Sequence, residues 1–299
     1  MSSKEPHDAL KEHLIEEIKK TGYPLEIGIS SILDNSWDII VNQDTFVDRN
    51  KMGLREIDIC ASKKPTRIGN LELETALVIE CKKSDAFSWV FFTRPFAFKI
   101  DDVAGQYLDE AQMAAKNTGR LEVMRMILGN TSLHYETQKW VAVTFNAFAT
   151  GKAHRGQFRE SQSEINEARE QLKTYVDWVI DQDVREWVST LPYTIEMYFP
   201  CIVFRGSLFE AIVGENDDIR LNPTKHLILS NLYKSPYSIY EKNVLIDIVS
   251  EDYFVEYEKL VQKDIENLKR TIKRKTNTVS RRITEIVTLL ESTYKSTRA

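Results

Sequence analysis

Two short runs of sequence decide the fold, Arg55-Glu56-Ile57-Asp58-Ile59 and Leu77-Val78-Ile79-Glu80-Cys81-Lys82. Both are rich in apolar and β-branched residues, which is typical of buried strands, yet each carries acidic side chains. Alternate residues of a strand face the same side, so Glu80 and Lys82 are expected to project together. Packing gives no reason for an acid and a base on a buried strand. An oxygen-lined metal site with an adjacent lysine would explain why both side chains are there.

The sequence around these runs predicts an α/β layered domain. Apolar residues at helical spacing predict a first helix from Asp8 to Thr21, with Gly22 at its end. The other elements predicted in this half are strands at residues 37–43, 54–61, 76–81 and 139–148, and helices at 100–117 and 163–188. Helix, three strands, helix and strand in this order are typical of a sheet covered by helices.

Aromatic residues crowd the segment from Ser84 to Lys99. Pro95 and the lack of periodicity predict a loop there. Aromatic side chains in a loop beside a polar site can stack on nucleic-acid bases. The favoured interpretation is that they anchor the loop in the core.

The second half of the chain predicts further strands at residues 193–204, 207–213, 226–233 and 244–249, with Arg205-Gly206 as a tight hairpin between the first two. No linker rich in Gly, Ser or Pro precedes them, so they should extend the first sheet or pack on it. The predicted organisation is a core at 1–188, a sheet extension packed on it at 189–250, and a basic helical segment at 251–299.

Charge is unevenly distributed along the chain. The 299 residues have a net charge of −5, but residues 259–299 carry eleven Lys or Arg and four Asp or Glu. A basic tail on an acidic body suits contacts with phosphates, and a solvated or packed helix end is an equally good interpretation.

The cysteine and histidine patterns argue against a disulfide framework and a zinc cluster. The three cysteines have no ligand-like spacing, which favours a reducing, cytoplasmic compartment. The five histidines are scattered, with no two at metal-ligand spacing, so no zinc site is expected. No apolar run approaches the length of a signal or membrane segment, and no membrane association is expected.

The paired carboxylates suit the cleavage of a phosphodiester. Such an enzyme must neutralise the phosphate charge and activate a water near pH 7. A hard divalent cation can be held by Asp58, Glu80 and the backbone carbonyl of Cys81. Lys82 would orient or help to deprotonate the attacking water, or stabilise charge in the transition state. The alternative is that Asp58 and Glu80 are strand-end charges paired with Arg55 and Lys82, but buried ion pairs are costly.

The runs REIDIC and LVIECKKS resemble the signature of the PD-(D/E)xK nuclease superfamily. The resemblance covers roughly Asp8 to Phe148. It implies a restriction-endonuclease-like αβββαβ core with a mixed central sheet, extended here by the C-terminal strands and the basic helical tail. It also implies catalytic roles for Asp58, Glu80 and Lys82. Members often complete the metal shell with a glutamate on the first helix, where Glu12 is the first candidate and Glu16 the second.

The resemblance further implies a Mg²⁺-dependent nuclease, for which Mn²⁺ can substitute, acting on DNA in restriction, phage defence or DNA repair. A homodimer or a larger defence complex fits such a protein. Lys83, Gln106 and Arg155 are the predicted substrate contacts, with ordinary exposed positions as the alternative for the latter two. The other function considered is a non-catalytic nucleic-acid-binding or assembly subunit of the same fold, and RNA stays open as a substrate.

The sequence departs from the superfamily pattern at two places. Ile57 stands where a proline commonly precedes the acidic residue, and this removes nothing from the chemistry. RecB-like members carry Gln-x-x-x-Tyr on the helix after the strand that ends in the Glu-x-Lys (ExK) triplet. Gln106 is in the corresponding place here, but Glu110 rather than a tyrosine stands four residues later. Gln171 and Tyr175 have that spacing on a later predicted helix, which leaves the subfamily open.

Overall fold

The computed structural model describes residues 6–48, 53–103, 107–109, 120–150, 158–185, 193–234 and 241–296. Five α-helices lie within these ranges: α1 (Pro6–Lys20), α2 (Tyr23–Leu33), α3 (Arg120–Leu128), α4 (Phe158–Arg185) and α5 (Phe254–Ser296). None of them combines the length and hydrophobicity that crossing a membrane requires.

Twelve strands of the described residues form one mixed sheet. They are β1 (Ile39–Asp48), β2 (Gly53–Ser62), β3 (Thr66–Ile68), β4 (Leu71–Lys83), β5 (Phe87–Pro95), β6 (Tyr107–Asp109), β7 (Trp140–Ala149), β8 (Tyr193–Arg205), β9 (Leu208–Val213), β10 (Ile219–Pro223), β11 (His226–Lys234) and β12 (Glu241–Ser250). The main path runs β1-β2-β4-β8-β12-β11-β7-β5-β9-β10, while β3 pairs with β4 and β6 with β8. The predicted α/β class is confirmed.

The strand order closes on itself. Only residues 84–86 separate β4 from β5, and these two strands pair in parallel with β8 and β9 respectively. On its other side β5 pairs with β7, and the pairing continues through β11 and β12 back to β8. The hydrogen-bonded path therefore returns to the segment from which it started, with β1 and β2 added at the free edge of β4.

Helices cover both faces of the sheet. On one face α4 packs through Leu172 and Val176 against a core that includes Val78 of β4 and Ile202 of β8. The opposite face packs against α2, α3 and α5. Alternate residues of β4 enter the two cores, which explains why nearly the whole strand is apolar.

The long helix α5 is held to the sheet by one apolar stripe. Its buried residues follow helical spacing: Phe254, Tyr257, Val261, Ile265, Leu268, Ile272, Val279 and Ile283. Lys263, Lys273 and Arg281 lie on the exposed side of the same helix. The basic tail is thus a packed helix with a charged outer surface, which fits the packing interpretation without excluding phosphate contacts.

The helix predicted at residues 100–117 is wrong where the structure describes it. Residues Ile100–Val103 form a 3-10 helix, and Tyr107 begins β6 by pairing with Met197 of β8. Pairing with a central strand overrides the helical propensity of this alanine-rich segment. The rest of the predicted helix lies outside the described residues.

The loop predicted around the aromatic residues is also wrong, because Phe87–Pro95 forms β5. Pro95 ends this strand, a position where a missing N–H costs little. Trp89 and Phe91 are fully buried, and the Trp89 ring stacks on Phe204 at 3.9 Å between centroids. For these two residues the predicted role as core anchors is confirmed.

Arg205 and Gly206 do not form the predicted hairpin. The strands β8 and β9 pair with β4 and β5 rather than with each other, so the chain bends at this point instead of reversing. A Cβ atom on Gly206 would lie 2.7 Å from the carbonyl oxygen of Ser84. Glycine is required here because the two bends cross so closely.

We expect Ile272→Ala to lower the free energy of unfolding by about 2–5 kcal/mol, because the Ile272 side chain is fully buried between α5 and the sheet and its truncation leaves a cavity. Val255→Ala on the same helix is the matched control, since Val255 is 41% exposed, and its cost should stay below about 1 kcal/mol. Urea unfolding followed by circular dichroism measures both. Equal costs would mean that α5 is not anchored through this stripe.

Candidate metal and catalytic site

The site forms where β2 and β4 separate. These antiparallel strands are paired from Ser62 and Ala76 to Ile59 and Ile79, and Asp58 and Glu80 are the next residues on each strand. Asp58 Oδ2 accepts the backbone N–H of Cys81 at 2.7 Å. The carboxylate thereby replaces the backbone carbonyl that would accept this hydrogen bond if the pairing of β2 and β4 continued.

Lys82 joins the two carboxylates. Its Nζ atom lies 2.7 Å from Glu80 Oε2 and 3.9 Å from Asp58 Oδ2. Glu80 and Lys82 are two positions apart on β4 and share a face, as the strand period predicts. The structure therefore brings Asp58, Glu80 and Lys82 together in one cluster.

Glu80 is the unusual member of the cluster. Its side chain is fully buried, and within the described residues its Oε1 atom has no hydrogen-bond partner of good geometry. The backbone N–H of Asp58 also favours the charged form of this carboxylate. Burial raises the pKa of Glu80 to about 8, although Lys82 opposes the shift. A buried carboxylate oxygen without a partner is destabilising unless a proton or a cation satisfies it. The donor set therefore fits a hard divalent cation.

The pKa values of Asp58 and Lys82 are also shifted by burial and by the neighbouring charges. Burial raises the pKa of Asp58 above its usual range, against the influence of Lys82 and the Cys81 N–H. Burial alone would lower the pKa of Lys82, but Glu80 and Asp58 outweigh it and raise this pKa. Lys82 is therefore held as an ammonium group between two acids.

Cys81 contributes through its backbone rather than its thiol. In a strand, the N–H and C=O of one residue point to the same edge. The Cys81 N–H points to Asp58, so its carbonyl also faces the open edge beside β2. The thiol side chain is buried in the core under α2 and α5, and burial raises its pKa well above the usual value.

Glu26 on α2 is the helical carboxylate that interacts electrostatically with this cluster. It was not among the residues that the sequence pattern predicted. Burial raises the pKa of Glu26, and Asp58 raises it further while Lys82 lowers it. Glu12 and Glu16 lie on the exposed surface of α1, where Glu16 pairs with Lys19. The start of α2 was signalled by Pro24 and by apolar residues at helical spacing, so a search of the second helix could have found Glu26.

The predicted substrate contacts are only partly described. Lys83 follows the cluster on β4, and its ammonium group donates to the carbonyl of Lys19 at the end of α1 and pairs with Asp85. Gln106 and Arg155 lie outside the described residues. Gln171 of α4 donates to the carbonyl of Glu56 at 2.9 Å, close in sequence to Asp58.

Tyr175, the other member of the Gln-x-x-x-Tyr spacing, points to a different neighbour. Its hydroxyl donates to Asp44 of β1 at 2.6 Å. Burial raises the pKa of Tyr175, so its hydroxyl stays protonated. The two residues of this spacing thus contact β2 and β1 from the same helix.

Comparison of the chain with protein-family models found no match, and neither did comparisons with curated proteins and with solved structures.

The raised pKa of Glu80 makes the stability of the metal-free protein depend on pH. The folded protein keeps this proton up to about pH 8, whereas the unfolded chain releases it near 4.5. The stability contribution is complete below pH 4.5 or so and is lost as the pH rises towards 8. Because glutamine cannot ionise, we expect the melting temperature of Glu80→Gln to fall less than that of wild type between pH 5 and pH 8 in EDTA.

Each unit of difference in pKa corresponds to about 1.4 kcal/mol, so the effect should amount to several degrees. Glu72→Gln, on the same strand but away from the cluster, is the control and should follow wild type. Parallel pH profiles for all three proteins would show that Glu80 titrates normally.

Proposed function

We propose that this chain is a metal-dependent nuclease that hydrolyses phosphodiester bonds of DNA. The observation that carries the proposal is the fully buried carboxylate of Glu80, whose Oε1 atom has no hydrogen-bond partner of good geometry within the described residues. Its other oxygen, Oε2, lies 2.7 Å from Lys82 Nζ, which is also close to Asp58. A nucleic-acid-binding module gains nothing from buried carboxylates, because they repel phosphate.

The residues divide the chemistry between them. Asp58, Glu80 and the Cys81 carbonyl would hold Mg²⁺, with Mn²⁺ as a substitute. Glu26 would add a further negative charge that acts on Asp58. The cation would neutralise phosphate charge and lower the pKa of an attacking water. Lys82 would orient that water by hydrogen bonding or stabilise the charge that develops on the phosphate oxygens.

The resemblance to the PD-(D/E)xK superfamily supports this assignment. Asp58 lies on the second long strand and Glu80 and Lys82 on the third, after the short β3, with helices α1 and α2 before them. The chain differs from the simple αβββαβ order because β5 and β6 come between β4 and α3. We therefore propose a restriction-endonuclease-like core in which the strand after the ExK triplet bends away into a second half of the sheet.

DNA in a bacterial defence or repair setting is the substrate that the resemblance favours, with a homodimer or larger complex as the acting form. The alternative function is a non-catalytic subunit that binds nucleic acid and uses the acidic cluster structurally. Cleavage distinguishes the two.

We expect the purified protein to cut supercoiled plasmid or single-stranded DNA with Mg²⁺ or Mn²⁺ and not with EDTA. Asp58→Asn should abolish cleavage and remove one Mn²⁺-binding site from the calorimetric titration. Lys82→Ala should lower the rate about a hundredfold or more while leaving DNA affinity largely intact, because one positioned group contributes that much.

Lys64→Ala is the matched control, since Lys64 is an exposed lysine next to the end of β2. It should cut at the wild-type rate. Absence of metal-dependent cleavage of DNA, or Mn²⁺ binding that Asp58→Asn leaves unchanged, contradicts the proposed nuclease site. RNA tested in parallel decides between the two nucleic acids.

The exposed side of α5 should supply salt-sensitive affinity for DNA. Replacing Lys263, Lys273 and Arg281 by Gln keeps the buried stripe, whereas truncation after Leu268 would remove Ile272, Val279 and Ile283 from the core. Log K for duplex DNA decreases with log salt, and the magnitude of this slope should become smaller by about 0.9 for every phosphate contact that the variant loses.

The same number of charges removed at Lys139, Arg220 and Lys225, which are exposed elsewhere, provides the control. Fluorescence anisotropy with labelled duplex at several salt concentrations measures the slopes. Identical slopes for the two triple variants would mean that α5 serves only to hold the fold together.

A further inference from the structure

A second cluster of ligand-type side chains lies away from the strands that carry Asp58 and Glu80. His134 opens a 3-10 helix, His226 begins β11, and Asp247 lies within β12. The Nε2 atoms of the two imidazoles converge on Oδ1 of Asp247, at 3.1 Å from His134 and 2.7 Å from His226. All three side chains are buried, with at most 8% of the surface of any one exposed.

The outer partners hold this arrangement in place. Asp264 of α5 lies 2.6 Å from Nδ1 of His134, and both of its oxygens accept the His134 backbone N–H at 3.0 Å. The hydroxyls of Tyr257 and Tyr135 donate to Oδ2 of Asp247 at 3.0 and 3.3 Å, and His134 Nε2 lies 3.3 Å from the same oxygen. A carboxylate behind the far nitrogen of an imidazole is the support that metal-ligating histidines usually have.

Two buried carboxylates surround the imidazole of His134, Asp264 at its Nδ1 atom and Asp247 at its Nε2 atom. Buried carboxylates are costly unless positive charge lies beside them, and a bound divalent cation would supply that charge.

We propose that His134, His226 and Asp247 bind one transition-metal cation, for which Zn²⁺ is the best match, with Asp264 positioning His134. Two imidazole nitrogens and one carboxylate oxygen prefer Zn²⁺ to Mg²⁺, and a fourth position stays open to a water. The three ligand atoms lie within 4.8 Å of one another. Tetrahedral ligands at about 2.0–2.1 Å from Zn²⁺ stand roughly 3.3 Å apart, so small side-chain shifts suffice.

Such a cation would connect four separate elements of the fold. It would tie β11 and β12 to the 3-10 helix at His134 and, through Asp264, to α5. The Tyr253 ring stacks on His226, with the two ring centroids 6.2 Å apart. The role inferred from this placement is structural, and it does not depend on nuclease activity.

The test titrates Zn²⁺ into the full chain, freed of metal with a chelator, in excess Mg²⁺, which occupies any hard-cation site. We expect calorimetry to give one Zn²⁺ per chain and a rise in melting temperature on binding. His226→Gln, whose amide can still donate to Asp247, should bind at least a hundredfold more weakly and show no such rise. His13→Gln, at an exposed histidine on α1, is the matched control and should bind like wild type.

Co²⁺ provides a second readout of the site in the wild-type protein, because its visible absorption reports tetrahedral nitrogen and oxygen ligands. Asp58→Asn should retain Zn²⁺ binding, which separates this cluster from the proposed nuclease site. A wild-type protein that binds no Zn²⁺ and gives no saturable Co²⁺ spectrum overturns the proposal. So does His226→Gln binding as tightly as wild type, because the cluster is then an ion-pair network only.

Discussion

The parallel pairing of β4 with β8 underlies both the topology of the sheet and the position of the acidic cluster. It runs without interruption from Leu71 and Tyr193 to Lys83 and Arg205. Both strands are covered on each face, so they read as apolar runs, and the long ladder fixes their backbones rigidly. The bends after Lys83 and Arg205 then carry the same pairing into β5 and β9, which closes the sheet.

The acidic cluster derives its properties from this constraint. β8 holds one edge of β4 throughout, while β2 leaves the other edge at Ile79. Glu80 is therefore pinned in a fully buried position next to an open edge. A rigid strand with one free edge lets a carboxylate remain desolvated beside Asp58 and Lys82, whose side chains are partly exposed where the ladder stops.

Local patterns in the sequence predicted the elements that carry the cluster, because a strand period and an antiparallel neighbour follow from short runs. They placed β2 and β7 to within one residue at each end, found the second half of β4, and brought Asp58, Glu80 and Lys82 together. They failed where pairing across long sequence distances decides the outcome. Residues 87–95 became a strand through β7 and β9, and Tyr107 through β8. The convergence of His134 and His226 is likewise a product of sheet pairing, and chain spacing contains no sign of it.

The pairing of residue 71 with residue 193 also bears on how the chain is made. Synthesis proceeds from the amino end, so β4 leaves the ribosome long before β8 exists. During that interval a long apolar strand presents an unsatisfied edge, which is the kind of surface that invites association with other chains or with chaperones. Contacts this distant in sequence also form slowly. The carboxylates can reach their buried positions only after residue 205 has emerged, so the acidic cluster assembles only once most of the chain has been translated.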